Sequence, residues 1–323
     1  MHKRLVNHCT IALSLIPNGP ILIKSGKEGA DPTKPDIEFV ETYHAGGKTI
    51  YLPGSSLKGA IRAHAERIVR TVGSDRLPSN PSQLWANDPL NDKYDYLPDN
   101  KSGKLGAEIY KLSSFTDQLF GNTSIASRLR VEDAYPDESQ PVETEERNGV
   151  AIDRVFGSVA VGPFNYQVCT VGKFKTKIHL KNFTLAQLGL IGLVLRDLND
   201  GWFGIGFAKS RGLGSVRVQL NSAVVQYPSC ELSGNQINAF GQNKHWANTS
   251  LIGAGEFLTE AESIKYGFSH LDHQTTPIAA TTMDLGFGVQ LSWHGNDETG
   301  VPNLFQCAVR SWSEVLRAGR TAA

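Results

Sequence analysis

Four cysteines are all that the 323 residues contain, and Cys9, Cys169, Cys230 and Cys307 stand far apart in the chain. Without a CxxC pair, neither a thiolate zinc cluster nor a disulfide framework is expected, and the thiols read as buried and reduced. No stretch approaches the roughly 20 consecutive apolar residues that a bilayer span requires, so no membrane association is expected. The opening "MHKRLVNHCTIALSLIPNG" is basic and then apolar, but Asn7 and His8 interrupt it and no small-residue cleavage site follows. It reads as a first strand rather than a leader, with the cytoplasm as the expected location. Net charge is missing as well: 32 Lys+Arg balance 32 Asp+Glu, for a pI of about 7.1. That balance argues against a free-standing nucleic-acid binder, yet it leaves room for a local basic groove. Internal repeats are absent. So is the GxxxxGK[ST] spacing, which disfavours nucleotide hydrolysis.

What is present has the texture of one large or two ordinary globular domains. Residues 5–23 suggest one or two short strands around a Pro-Asn-Gly turn, followed by a loop dense in Gly, Pro and charge. "IYLPGSSLKG" closes a strand and opens a helix whose Leu57, Ile61, Ile68 and Val69 share a face, with Ser55 or Ser56 as its expected N-cap. Residues 74–114 read as an irregular insertion, 118–136 return to strand alternation, and the polar 137–149 reads as a protruding loop. Strands across 150–180 lead to the clearest helix, 184–201, and then to strand, basic glycine-rich loop and strand. Stripped of insertions, 1–221 follows the ferredoxin-like split βαβ plan, an α+β fold with an antiparallel sheet and two helices on one face. A boundary is placed near 221. Residues 222–323 form a C-terminal extension of uncertain fold, with one clear helix near "NLFQCAVRSWSEVLRAG".

Two loops carry the chemistry. "PGSSLKG" places Ser55, Ser56 and Lys58 at a helix start, where unpaired N–H groups and the positive dipole end attract anions. "GFAKSRGLGSV" sets Lys209, Ser210 and Arg211 between glycines that would let the backbone lie against phosphate or ribose. With Arg128 and Arg130, the two loops could line a basic groove that tracks a nucleic-acid backbone.

Taken in order, "LPGSSLKGAIR", "QLFG", "RLRVEDAYP", "VAIDRVFGSVAVG" and "GFAKSRGLGSV" resemble the RAMP superfamily of CRISPR-associated proteins. More narrowly, they resemble the backbone subunit of type III CRISPR effector complexes. The resemblance implies an RRM-like core with thumb and lid insertions, lined up on a guide RNA beside other subunits. It implies a thumb at 137–153 that kinks the guide–target duplex, and metal-dependent cleavage of single-stranded target RNA at each kink, in antiviral defence. It further implies guide contacts from Ser55, Ser56, Lys58 and Arg62, from Lys209, Ser210 and Arg211, and from Arg154 at the end of the thumb. The catalytic aspartate, which would also hold Mg²⁺ or Mn²⁺, falls on Asp36 by family spacing, with Asp31 in reserve. An acidic residue there suits the chemistry, because a carboxylate can hold Mg²⁺ while waters and phosphate oxygens fill the octahedron. Some relatives carry a zinc-binding Cys cluster before "LFG"; "KLSSFTDQLFG" has none, so no structural zinc is expected.

Alternatives stay open at this stage. A non-catalytic structural or capping subunit would hold guide RNA without cutting. A guide-precursor ribonuclease would use histidine, with His44 and His64 as candidates, and a small-anion binder is a weaker fourth reading. The tail's "HLDHQTT" sets His270 and His273 around Asp272 without a metal motif.

Overall fold

The computed structural model describes residues 4–26, 35–79, 83–88, 90, 106–268 and 271–321. Asp31, His270 and, within the 74–114 insertion, residues 80–82, 89 and 91–105 lie outside the described residues. At the centre is a seven-stranded antiparallel sheet built from β1 (His8–Pro17), β2 (Leu129–Val131), β3 (Tyr135–Pro136), β6 (Phe174–Lys181), β7 (Val216–Tyr227), β8 (Thr281–Thr282) and β9 (Val289–His294). A separate two-stranded arm, β4 (Glu143–Ile152) and β5 (Val159–Val171), leaves the chain between β3 and β6. Six α-helices accompany them among the described residues: α1 (Gly54–Val72), α2 (Gly106–Leu112), α3 (Phe115–Phe120), α4 (Leu185–Asn199), α5 (Glu260–Tyr266) and α6 (Val301–Thr321). The sheet order is β8-β9-β7-β1-β6-β2, with β3 also on β6.

Strand alternation decides the two sheet faces. On β1, Cys9, Ile11, Leu13 and Leu15 are buried while His8, Thr10 and Ala12 are half-exposed. On β6, Phe174, Thr176, Ile178 and Leu180 are buried while Lys175, Lys177 and Lys181 are exposed and His179 is half-exposed. Register places Thr10 and Arg130 on either side of His179, so the outer face is polar and basic where these strands meet. Each fully buried aliphatic on the inner face contributes about 1.5–3 kcal/mol.

Helix α4 is apolar almost all round because it is covered on several sides. Its Thr184 forms a capping box with Gln187. Gly189 and Gly192, one turn apart, admit α6 closely: a Cβ on Gly189 would stand 2.7 Å from the Ala308 carbonyl oxygen, and one on Gly192 would meet the Phe305 ring at the same distance. His64 of α1 reaches Asp197 of α4 at 2.8 Å.

Residues beyond 221 join the same core. β9 extends the sheet beside β7. The buried Asn7 amide donates to the carbonyls of Phe183 (3.0 Å) and Ile252 (3.2 Å), and the Ile252 N–H donates to the Tyr227 hydroxyl at 2.7 Å. Asp272 accepts from the N–H of Leu185 at the start of α4 (2.9 Å) and from that of Gly255 (3.1 Å). Its burial pushes the carboxyl up to about 6 in spite of those donors. His273 is held by Glu256 at 2.9 Å, so Asp272 and His273 are both engaged within the fold. Two expectations are corrected here. Among the described residues the tail holds two α-helices, α5 and α6, rather than one; α5 is a single capped pair of turns too short for a periodicity signal. The polar 137–149 stretch, expected as a loop, enters strand β4 at Glu143, because pairing along β5 satisfies its backbone without any buried face to signal it.

Candidate nucleic-acid interface

The start of α1 is fixed by β2 and the turn after it. A Cβ on Gly54 would lie 2.4 Å from the Val131 carbonyl oxygen, so this glycine is required for helix–strand contact rather than for a ligand. The expected serine N-cap is not found. Pro53 occupies that position, and Asp133 accepts the Gly54 N–H at 2.7 Å from across the chain. An acidic acceptor brought in by "VEDAYP" leaves Ser55 exposed and Ser56 half-exposed on the helix surface.

Beside that helix start opens a cleft of about 480 Å³, lined among others by Ser55, Lys58, Arg130, His8, His179 and Lys181. Lys58 donates to the Ser127 hydroxyl at 2.9 Å, and burial, together with the nearby Arg62 charge, lowers its pKa. Arg130 is exposed and donates to Glu132 at 3.0 Å; Glu132 also meets His179 at 2.9 Å. The His8 and His179 ring centroids are 5.7 Å apart. The pKa of His8 is lowered by burial first and then by the charges of His179, Arg130 and Lys181, against a hydrogen bond with Gln226. Cationic and hydroxyl groups thus converge in a space open to solvent, as a phosphodiester requires.

Two of the arginines singled out in the sequence turn inward. Arg62 donates to Glu66 (2.7 Å), to Asp117 (2.7 Å) and to the Gly121 carbonyl (2.9 Å), clamping α1 to α3. Arg128 is only 4% exposed; it donates to the Asn182 carbonyl at 2.7 Å and lies 4.1 Å from the Tyr110 ring centroid. Alternating charge in "RLRV" and "AIRAH" cannot distinguish such wall-building arginines from surface ones.

On another flank of α1 lies a second cleft, of about 410 Å³, lined among others by Arg67, His64, Trp202, Lys209, Ser210 and Gly212. Lys209, Ser210 and Arg211 form one turn of 3-10 helix between left-handed Ala208 and Gly212, all three exposed. Gly206 and Gly214 serve packing: at φ +78° and +91°, a Cβ would fall 2.2 Å from the Leu22 carbonyl oxygen and 2.3 Å from that of Ile205. Gly212 alone of these three meets nothing within 4 Å. Arg211 stands 5.2 Å from the Phe207 ring. The single groove expected from the sequence is therefore two clefts on one helix. Of the histidine candidates, His64 is buried against Asp197 and stacked on Phe203 at 4.3 Å, and His44 stacks on Tyr135 at 3.8 Å.

The arm carries the remaining residues. At its tip the Asp153 carboxylate accepts the N–H groups of Val155 (2.7 Å) and Phe156 (2.8 Å), and Arg154 is exposed between them. Along its flank Asp36 accepts the Asn165 N–H through Oδ2 at 2.9 Å, while Ile37 forms a parallel bridge with Tyr166. Asp36 is exposed, and its Oδ1 has no protein donor among the described residues. No group of three or more His, Cys, Asp or Glu able to hold a metal occurs among the described residues. The carboxylate thus offers one oxygen, enough for a hydrated Mg²⁺ shared with phosphate but not for a cage made by the described residues alone.

A model of the RAMP superfamily matches residues 17–217, more than half of the chain. This protein belongs to the RAMP superfamily. No curated protein matches it. The RAMP match runs from the last residue of β1 into β7, so it takes in both clefts' loops, the arm and Asp36. Membership of the RAMP superfamily points to a CRISPR-associated, RNA-binding role, and no described helix is long and apolar enough to cross a membrane. Sequence reasoning missed His8, His179, Lys181 and Trp202. The first three had a signal in the alternation of "KTKIHLK" and "HCTIAL", which faces them all outward; Trp202 had none.

Proposed function

We propose that this RAMP protein is a guide-RNA-binding backbone subunit of a type III CRISPR effector complex, working in the cytoplasm with the complex's other subunits. The observation that carries the reading is the cleft at the start of α1, which gathers Ser55, Lys58 and Arg130 with His8, His179 and Lys181. The strand order β7-β1-β6-β2, with α1 and α4 as crossovers, supports an RRM-like core. Guide phosphates would be held by Ser55, Ser56, Lys58 and Arg130 on one flank of α1, and by Lys209, Ser210 and Arg211 on the other. Arg62 and Arg128 would maintain the walls. Arg154 and the exposed tip of the β4–β5 arm would meet the guide–target duplex as the thumb.

In this reading Asp36 is the residue on which cleavage of single-stranded target RNA depends, with Asp31 in reserve. A divalent ion, Mg²⁺ or Mn²⁺, would be held through the open Oδ1 and would neutralise charge on a phosphoryl oxygen. The hydrogen bond from Asn165 fixes the Asp36 carboxylate against the arm, so the element that would splay a nucleotide would also orient the acid. No structural zinc is part of the proposal. Asp36→Ala in the assembled complex should abolish target cleavage while guide RNA stays bound. An unchanged cleavage pattern would instead rule out catalysis at Asp36. Lys58→Glu with Arg130→Glu should release the guide.

A further inference from the structure

We infer that Trp202 is a stacking platform for one nucleobase of single-stranded RNA, its cleft holding that nucleotide's phosphate on Arg67 and Lys209. The inference rests on the RNA-binding reading above and adds a base-recognition subsite to it. Trp202 is 70% exposed, an unusual placement for the largest side chain. It is presented rigidly all the same. Helix α4 ends in a Schellman motif: Gly201 is left-handed at φ +76°, its N–H donates to the Leu198 carbonyl at 3.2 Å, and the Trp202 N–H donates to the Asp197 carbonyl at 2.9 Å.

In that motif the residue after the left-handed glycine normally packs back on the helix residue whose carbonyl it bonds. Here that residue is Asp197, 1% exposed, whose carboxylate is taken by His64 (2.8 Å) and by Arg196 (2.7 Å). The indole has no apolar seat to return to and stands out at the rim of the 410 Å³ cleft. The Arg196 guanidinium, paired with Asp197, lies over one face of the indole at 5.9 Å from its centroid, which leaves the opposite face for a base. Lys209, Ser210 and Arg67 complete the lining. An open aromatic face next to exposed cations is what a single-stranded nucleotide needs: a surface for its base and a counter-charge for its phosphate. Stacking is tolerant of sequence, which suits a subunit that must accept any guide.

The test uses the full-length protein and a fluorescein-labelled oligouridylate of about 12 nucleotides, a length within the span of single-strand sites. Trp202→Ala should weaken binding roughly tenfold, Trp202→Phe should stay close to wild type, and neither should change the slope of affinity with salt, because no cation is removed. Circular dichroism melting should be unchanged for both. If Trp202→Ala binds as wild type while Lys58→Glu with Arg130→Glu has lost binding, the platform is overturned and the RNA-binding reading stands. If Trp202→Ala alters only the oligomeric state, the indole is a protein contact and the inference again falls. If the wild-type chain binds no RNA in the assay or in its native complex, both readings fall together.

Discussion

At the start of α1 the positive groups are half-withdrawn: Lys58 is bonded to Ser127, Arg62 is clamped on Asp117, and Asp133 already takes the first helical N–H. At 206–214 the arrangement is reversed, with Gly206 and Gly214 pressed against backbone and Lys209, Ser210 and Arg211 left in solvent. The two loops look alike as strings of glycine, serine and cation. One positions its cations by burying their stems and partners; the other positions its turn by burying glycines. Substitutions should therefore separate stability from RNA affinity differently in each.

The largest effect is expected within the second loop. Gly206→Ala forces a Cβ to 2.2 Å from a carbonyl oxygen at positive φ, and should cost about 3 kcal/mol or more. Gly212→Ala, left-handed but facing open space, should cost only about 1–2 kcal/mol. Chemical denaturation of the two variants measures the gap, and equal costs would break the account of this loop. Next comes the first loop. Arg62→Ala takes the guanidinium from the fully buried Asp117 and should destabilise by about 2–3 kcal/mol, against under about 1 kcal/mol for Lys58→Ala.

On RNA affinity the order changes. Lys58→Ala and Lys209→Ala should each weaken binding severalfold and lower the salt slope by about one, read by anisotropy across a salt series. The smallest effect is that of pH. Because the His8 pKa is lowered from 6.5, its charge appears only as pH falls below that value, and a bound phosphate favours the charged form. Affinity should rise about two- to threefold on acidification from 7.5 to about 5.5, and His8→Ala should flatten the rise. The same shift opposes folding as pH falls through 6.5, so the fold itself should weaken slightly over that range.

Much of this architecture was legible beforehand. The helix at 54–72 announced itself by the shared face of Leu57, Ile61, Ile68 and Val69, and the one expected over 184–201, found at Leu185–Asn199, by its apolar run and Asn-Asp-Gly stop. The loops carrying Lys58 and Lys209 were visible as motifs. Long-range pairing was not. Nothing local in "VEDAYP" says that Asp133 replaces a serine cap, or that Arg128 lies between Tyr110 and the Asn182 carbonyl. The arm escaped because both faces of β4 are solvated, so its strand character rests on pairing with β5 alone. Trp202 was hidden for another reason: its exposure depends on which residue lies at the helix position it would otherwise cover.

Ultraviolet crosslinking of RNA within the purified native assembly, with crosslinked peptides mapped by mass spectrometry, tests most directly whether α1 carries a strand on its two flanks. Adducts should concentrate in the peptides containing Ser55–Lys58, Ser127–Val131, His179–Lys181 and Trp202–Gly212. RNA adducts confined to other surfaces, or an assembly that contains no RNA, would contradict it.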